Sequence, residues 1–140
     1  MATVLDVLEN LKSFNIEVVA KQSIAATSNI MADENRKQLK KGQKADGTIM
    51  DNYSKVSQDL FNKPDSPITL YDTGAFHKSI TVDVGADEFE FIADDIHDLE
   101  KRFTNEIYGL TQQNSDNYAE NTVLPLIQDE FTKVTGLTFN

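Results

Sequence analysis

The apolar positions of the chain change period several times, and each change marks an element. Leu5, Leu8 and Leu11 recur at helical spacing, and Asn15 either closes that first helix or caps the next. From Ile16 onward, Ile16, Ala20, Ile24, Thr27 and Met31 stay on one face, which predicts a single amphipathic helix running to about Lys41. Lys37, Lys40 and Lys41 lie at its carboxyl end, where cations favour the negative pole of the helix dipole, and Gly42 can take the left-handed cap. Ala45, Asp46 and Gly47 read as a tight turn, followed by a short extended piece at 48–50. No period is sustained through 51–67. Asn, Ser, Lys-Pro and Ser-Pro punctuate that stretch, so a long mobile loop is expected, with one helical turn around 56–61.

Residues 69–84, TLYDTGAFHKSITVDV, then change habit twice. Asp72 or Thr73 can accept from the free N–H groups of a following turn, Gly74 permits close backbone approach, and Ala75, Phe76 and Ile80 share one helical side. The period then becomes two: Ile80, Val82 and Val84 point one way, Thr81 and Asp83 the other. After Gly85, Ala86 and Asp87 a second strand follows at 88–93, with Phe89 and Phe91 inside. Helical spacing returns through Ile96, Leu99 and Phe103, residues 106–110 read as a short edge strand, and Thr111 stands where an N-cap belongs. Tyr118, Val123, Ile127, Phe131 and Val134 line a last helix that Pro125 should kink or split and that Gly136 ends. The order is that of an α+β fold: a small antiparallel sheet, made of a hairpin over 80–93 plus short edge strands, packed against a long N-terminal helix and a C-terminal helix.

Composition narrows the classes. A chain of 140 residues suits one domain, 1–140, and the absence of Cys excludes disulfides, thiolate nucleophiles and thiolate metal sites. The opening MATVLDVLENLKSF carries acids and lacks a basic n-region, so it does not read as a signal peptide. No segment approaches the roughly 20 apolar residues of a membrane span, and no membrane partner is expected. A net charge of −10 argues against broad nucleic-acid binding. That charge is uneven. Residues 36–44 hold five cations (Arg36, Lys37, Lys40, Lys41 and Lys44) and no acid, whereas 79–100 hold eight acids, among them Asp94, Asp95, Asp98 and Glu100, and no Lys or Arg. A solvated helix end explains the basic run as well as phosphate contact does. Together, though, the two blocks suit head-to-tail joining of copies, the heterologous contact that closes rings.

Candidate chemistry is sparse. Asp72-Thr73-Gly74 matches the aspartic-protease triplet, but the required second triplet and apolar flanks are missing, so it reads as a structural turn. Asp94, Asp95, His97 and Asp98 are dense in oxygen ligands, with Asp94 and Asp98 one helical turn apart, yet no second segment completes a metal shell. His77 lies too close in sequence to Ser79 to orient it as a base and reads as a surface side chain. No Gly-rich phosphate loop is present. No catalytic residue, metal or cofactor is expected.

Leu70 to Ile80, read as Leu-Tyr-Asp-Thr-Gly-Ala-Phe-His-Lys-Ser-Ile, resembles the Thr/Ser-Gly-x-Leu-x-x-Ser-Ile signature of tailed-phage tail-completion, or head–tail joining, proteins. Arg102-Phe103-Thr104-Asn105-Glu106-Ile107-Tyr108-Gly109-Leu110-Thr111 is similar to that family's Arg-x-Phe-Leu-Gly-Leu-Ser segment, with extra residues before Gly109. The 38–53 stretch looks like the preceding loop in relatives from phages of Bacteroidota. The likeness covers roughly 35–127 and lacks the family's Pro-rich lead-in. It implies a structural, non-enzymatic virion protein, present in the host cytoplasm during assembly and then in the neck or tail. There it would form a homo-oligomeric ring that joins portal or connector proteins to tail proteins. Passing DNA would be touched only non-specifically, and an acidic lumen carrying Asp83, Glu88 or Glu90 would let it slide. Two rival readings use the same residues: a small metal-dependent hydrolase built on the 94–98 cluster, and an acidic cytoplasmic adaptor or inhibitor.

Overall fold

The structure is a computed structural model that describes residues 3–138. The chain divides into two compact units, one formed by Ser28–Ser115 and the other by Met1–Thr27 with Asp116–Asn140. The fold is α+β: helices and, among the described residues, one two-stranded antiparallel sheet, which lies in the Ser28–Ser115 unit.

The second of these units is helical. Helix α1 (Val4–Ser13) starts in a capping box: the Asp6 amide donates to the Thr3 hydroxyl and the Thr3 amide to the Asp6 carboxylate. Asn15 caps α2 (Ile16–Ala26) rather than closing α1, its side-chain oxygen accepting from Glu17 and Val18 at 3.1 and 3.2 Å. The long helix expected from Ile16 to Lys41 is broken at Thr27, where the backbone leaves helical values (φ −120°, ψ 16°). Ser23 and Thr27 each donate a hydroxyl back to a carbonyl four residues earlier, which loosens the ladder. The Thr27 hydroxyl also meets the Tyr118 hydroxyl at 2.7 Å. At the other end, α7 (Gln112–Tyr118) passes through a π turn (Ala119–Val123) into α8 (Leu124–Thr135). Pro125 lies in the first turn of α8; it cannot donate to a preceding carbonyl, and the widened turn just before it accommodates the loss. α8 packs on α1 and α2, with Phe14 edge-on to Phe131 at 5.2 Å, and Gly136 ends it at φ +77°.

The Ser28–Ser115 unit holds most of the buried core. Helix α3 (Ser28–Lys40) buries Met31, Ala32, Asn35, Gln38 and Leu39, one face at helical spacing. Leu39 and Ala32 pack with Met50, Phe76, Ile80 and Ile107. Gly42 follows at φ +71°; a Cβ there would lie 2.5 Å from the Pro67 side chain, so both conformation and contact require glycine. Asp46 accepts from the Thr48 amide and hydroxyl, closing the expected Asp-Gly turn.

Within 51–67 the structure has a full helix, α4 (Lys55–Phe61), where one turn was expected. Ser54 caps it by accepting from the Ser57 amide at 3.1 Å, and Asn62 ends it in the left-handed region. A bridge between Asn52 and Pro67 closes its base, and another joins Gln43 to Ile49, within the piece expected to be extended. After α5 (Ala75–Ser79) come β1 (Thr81–Val84) and β2 (Phe89–Ile92), with Val84 opposite Phe89 and Thr81 opposite Ile92. α3 packs on β1. Ile80 is buried, while Val82, Val84 and Phe91 are half-buried. Phe89, expected inside, is exposed because it sits at the hairpin tip beside the turn, far from Ile80. Helix α6 (Leu99–Phe103) leads to a 3-10 turn (Asn105–Ile107) in place of the strand expected at 106–110.

Candidate functional site

The missing strand at 106–110 has a specific cause. Its backbone is satisfied by side chains of α3. The Asn35 amide donates to the Ile107 carbonyl at 3.0 Å, and the Gly109 amide donates to Asn35. Gln38 donates to the Gly109 carbonyl at 2.9 Å and accepts from the Thr111 amide and from Asn114. Two buried amides thus replace a β ladder, and Thr111 is held so that its own hydroxyl caps α7 through the Asn114 amide. Sequence reasoning missed both residues. The signal was present, because positions 35 and 38 continue the buried face of Met31 with polar side chains.

The corner at 72–80 is held from the same helix. Arg36 donates through Nε to the His77 carbonyl at 2.7 Å and through its second amino group to the Ile80 carbonyl, and it also pairs with Asp33. These carbonyls lie at the end of α5, where a helix leaves acceptors open. Thr73 accepts from the Ala75 amide. Gly74 lies at φ +88°, where an added Cβ would meet the Tyr71 hydroxyl at 2.8 Å. Asp72 is exposed and lies 3.6 Å from the Lys63 ammonium. Asp72-Thr73-Gly74 therefore acts as a turn.

His77 is not a surface side chain. It is only 2% exposed, its Nε2 is hydrogen-bonded to the Thr69 carbonyl at 2.7 Å, and Tyr71 meets its ring edge-on. Because the partner is a carbonyl, Nε2 carries the proton; Nδ1 is buried without a partner. Burial holds the imidazole below its ordinary range. Lys40 and Arg36 add to that effect, while the Thr69 bond opposes it.

The two charge blocks fare differently. Arg36 is committed internally. Lys37 pairs with Glu34 at 3.2 Å, and Lys40 lies over the Tyr71 ring. Lys37 and Lys41 border a polar cavity of about 480 Å³ with Gln38, Gln43 and Asn114, and Lys44 stands at the base of the Asp-Gly turn. Among the acids, Asp95 caps α6, accepting from the Leu99 and Glu100 amides at 2.7 and 2.9 Å. Asp95, Asp98 and Glu100 come together around one open depression, whereas the Asp94 amide is turned back to the Ser79 hydroxyl. Asp94 and Asp98 do not share a helical face, because the helix begins only at Leu99. Among the described residues no group of three or more His or carboxylate side chains is placed to hold a metal ion.

A concavity of about 840 Å³ lies elsewhere in the Ser28–Ser115 unit, between α4, the 70–76 corner and the 94–103 segment. Tyr53, Phe61, Tyr71, Leu99 and Phe103 line it. Comparison with family models, with curated proteins and with solved structures finds no match to the chain.

Proposed function

We propose that the chain is a structural subunit of a tailed bacteriophage, part of a ring at the head–tail neck or tail end that joins portal-side to tail-side proteins. In this reading its work is geometric and no side chain performs a reaction. One observation carries most weight: the helical unit keeps several large apolar side chains in water. Val4 and Leu5 are 77% and 70% exposed, and Leu8, Ile16, Val18 and Leu124 are exposed with them. Surface of this kind is what a monomer avoids and an assembly covers. The hairpin adds a second support. Asp83 lies directly opposite Glu90, a like-charge cross-strand pair that costs stability, and it gives the hairpin an acidic face suited to repelling passing DNA.

The hydrolase alternative loses ground on geometry, since Asp95 is occupied as a helix cap. Mass photometry and negative-stain microscopy of the purified chain, together with its detection in purified virions, test the proposal. Closed rings and incorporation into particles are expected. A chain that stays monomeric at high concentration and is absent from virions overturns the reading.

A further inference from the structure

The lining of the 840 Å³ groove is at once apolar and acidic. Its walls expose apolar side chains that a solvent-facing cleft does not need. Phe61, the last residue of α4, is 70% exposed, and Ile96, also in the lining, is 74% exposed. Leu70, in the lining, is held at φ +56°, a left-handed conformation that strains a leucine and that clusters at binding sites.

Charge decides what can enter. The lining carries four carboxylates, Asp51, Asp72, Asp94 and Asp95, against two cations, Lys63 and Arg102. Both cations already rest on aromatic faces. The Lys63 ammonium lies 5.4 Å from the Tyr53 ring centre while donating to the Tyr71 carbonyl, and the Arg102 guanidinium lies 5.1 Å from that of Phe103. The groove thus holds a cationic head on an aromatic face twice over, with Asp72 3.6 Å from the Lys63 ammonium, and its carboxylates outnumber its cations. A second copy is a poor guest. Its exposed apolar helix α1 brings Asp6 and Glu9 with one cation, Lys12, from a chain of net charge −10.

We propose that this groove receives a short basic segment of a different protein, whose aliphatic side chains fill the space between Phe61, Ile96 and Phe103 and whose Lys or Arg heads meet Asp51, Asp72 and Asp94. The inference stands on the groove alone and does not require the ring. A fluorescein-labelled peptide of alternating Leu and Lys, about eight residues long, serves as probe, with a Leu and Glu peptide of equal length as control; anisotropy is the readout. The basic peptide is expected to bind in the micromolar range and the acidic one not to bind. Asp72→Asn with Asp94→Asn should weaken binding about tenfold, and so should Phe61→Ser. Asp83→Asn with Glu90→Gln removes the same charge from the hairpin and should leave affinity unchanged. Ile96→Ser is the second apolar variant, and circular dichroism confirms folding of each. The proposal is overturned if the basic peptide fails to bind, if the hairpin pair weakens binding as much as the groove pair, or if neither apolar variant affects it. Because ring formation is read by mass and microscopy, the two readings can fail separately.

Discussion

The two units of this chain solve the problem of burial in opposite ways. In Ser28–Ser115, the side chains of Met31, Leu39, Ile80 and Ile107 are almost wholly removed from water, and buried amides and a guanidinium stitch the surrounding backbone. In the unit of Met1–Thr27 and Asp116–Asn140, the buried hydrophobics among the described residues are Tyr118 and Val123, and the leucines of α1 remain exposed. One unit carries its own core. The other presents helices with amphipathic faces and too little covered surface for stability of its own, since small units below about 60 residues are marginal even when well packed. The difference lies in the core and not in exposure by itself: the Ser28–Ser115 unit also exposes Leu60, Phe61 and Ile96, but it does so around a buried core of its own.

The sharpest way to break the comparison is Gln38→Leu. The side chain is nearly isosteric, so the loss is polar: the Gly109 carbonyl and the Thr111 amide lose their partner, and Asn114 loses one as well. Destabilisation of about 3 kcal/mol is expected in urea titration. Arg36→Met, which keeps the apolar stem, should cost about 2 kcal/mol by removing the charged donor from the Ile80 carbonyl and one of two donors from the His77 carbonyl, which keeps the Ile80 amide. Arg36→Lys should not restore it, because a single ammonium cannot span two carbonyls as a planar fork does.

A smaller effect is expected from His77. Its folded-state pKa is depressed, so as pH falls through 6.5 the unfolded chain takes the proton first. The stability it contributes is present above that value and is lost below it. Denaturation midpoints of wild type and His77→Gln, followed from about pH 7.5 down to about 5.5, should converge as the medium acidifies; parallel curves would remove His77 as the source. The smallest effect on folding belongs to the other unit. Leu5→Ser with Leu8→Ser should change monomer stability by less than about 0.5 kcal/mol, although equivalent changes in a packed core cost several. The same pair should abolish the higher-mass species in mass photometry. A large loss of monomer stability would show that these leucines already have an intramolecular role.

Local signals were legible at many positions where a residue acts on its neighbours, though not at Ser54 or Asp95. Thr111 as a cap, Gly42 and Gly136 as helix ends, the Asp46 turn, the alternation of Ile80, Val82 and Val84, and the Pro125 interruption all follow from spacing and side-chain chemistry within a few positions. The break at Thr27 was less visible, because Ile24, Thr27 and Met31 keep helical spacing straight through it. The basic run misled at one position. Arg36 sits in a row of lysines, yet only it has the forked donor set that can hold two carbonyls, and it lies within reach of the end of α5.

What the sequence determined by itself was the α+β class and most element types, though not the helix within 51–67 or the 3-10 turn at 105–107, because period, caps and turn residues are short-range properties of the backbone. Tertiary structure alone decided that Asn35 and Gln38 would take the place of a strand partner, that His77 would be buried, and that aromatic rings from α4, the corner and α6 would line one groove. The physical reason is distance along the chain. A polar residue on a helix face looks alike whether it meets water or a carbonyl more than seventy residues away, and only folding brings that carbonyl within hydrogen-bonding range.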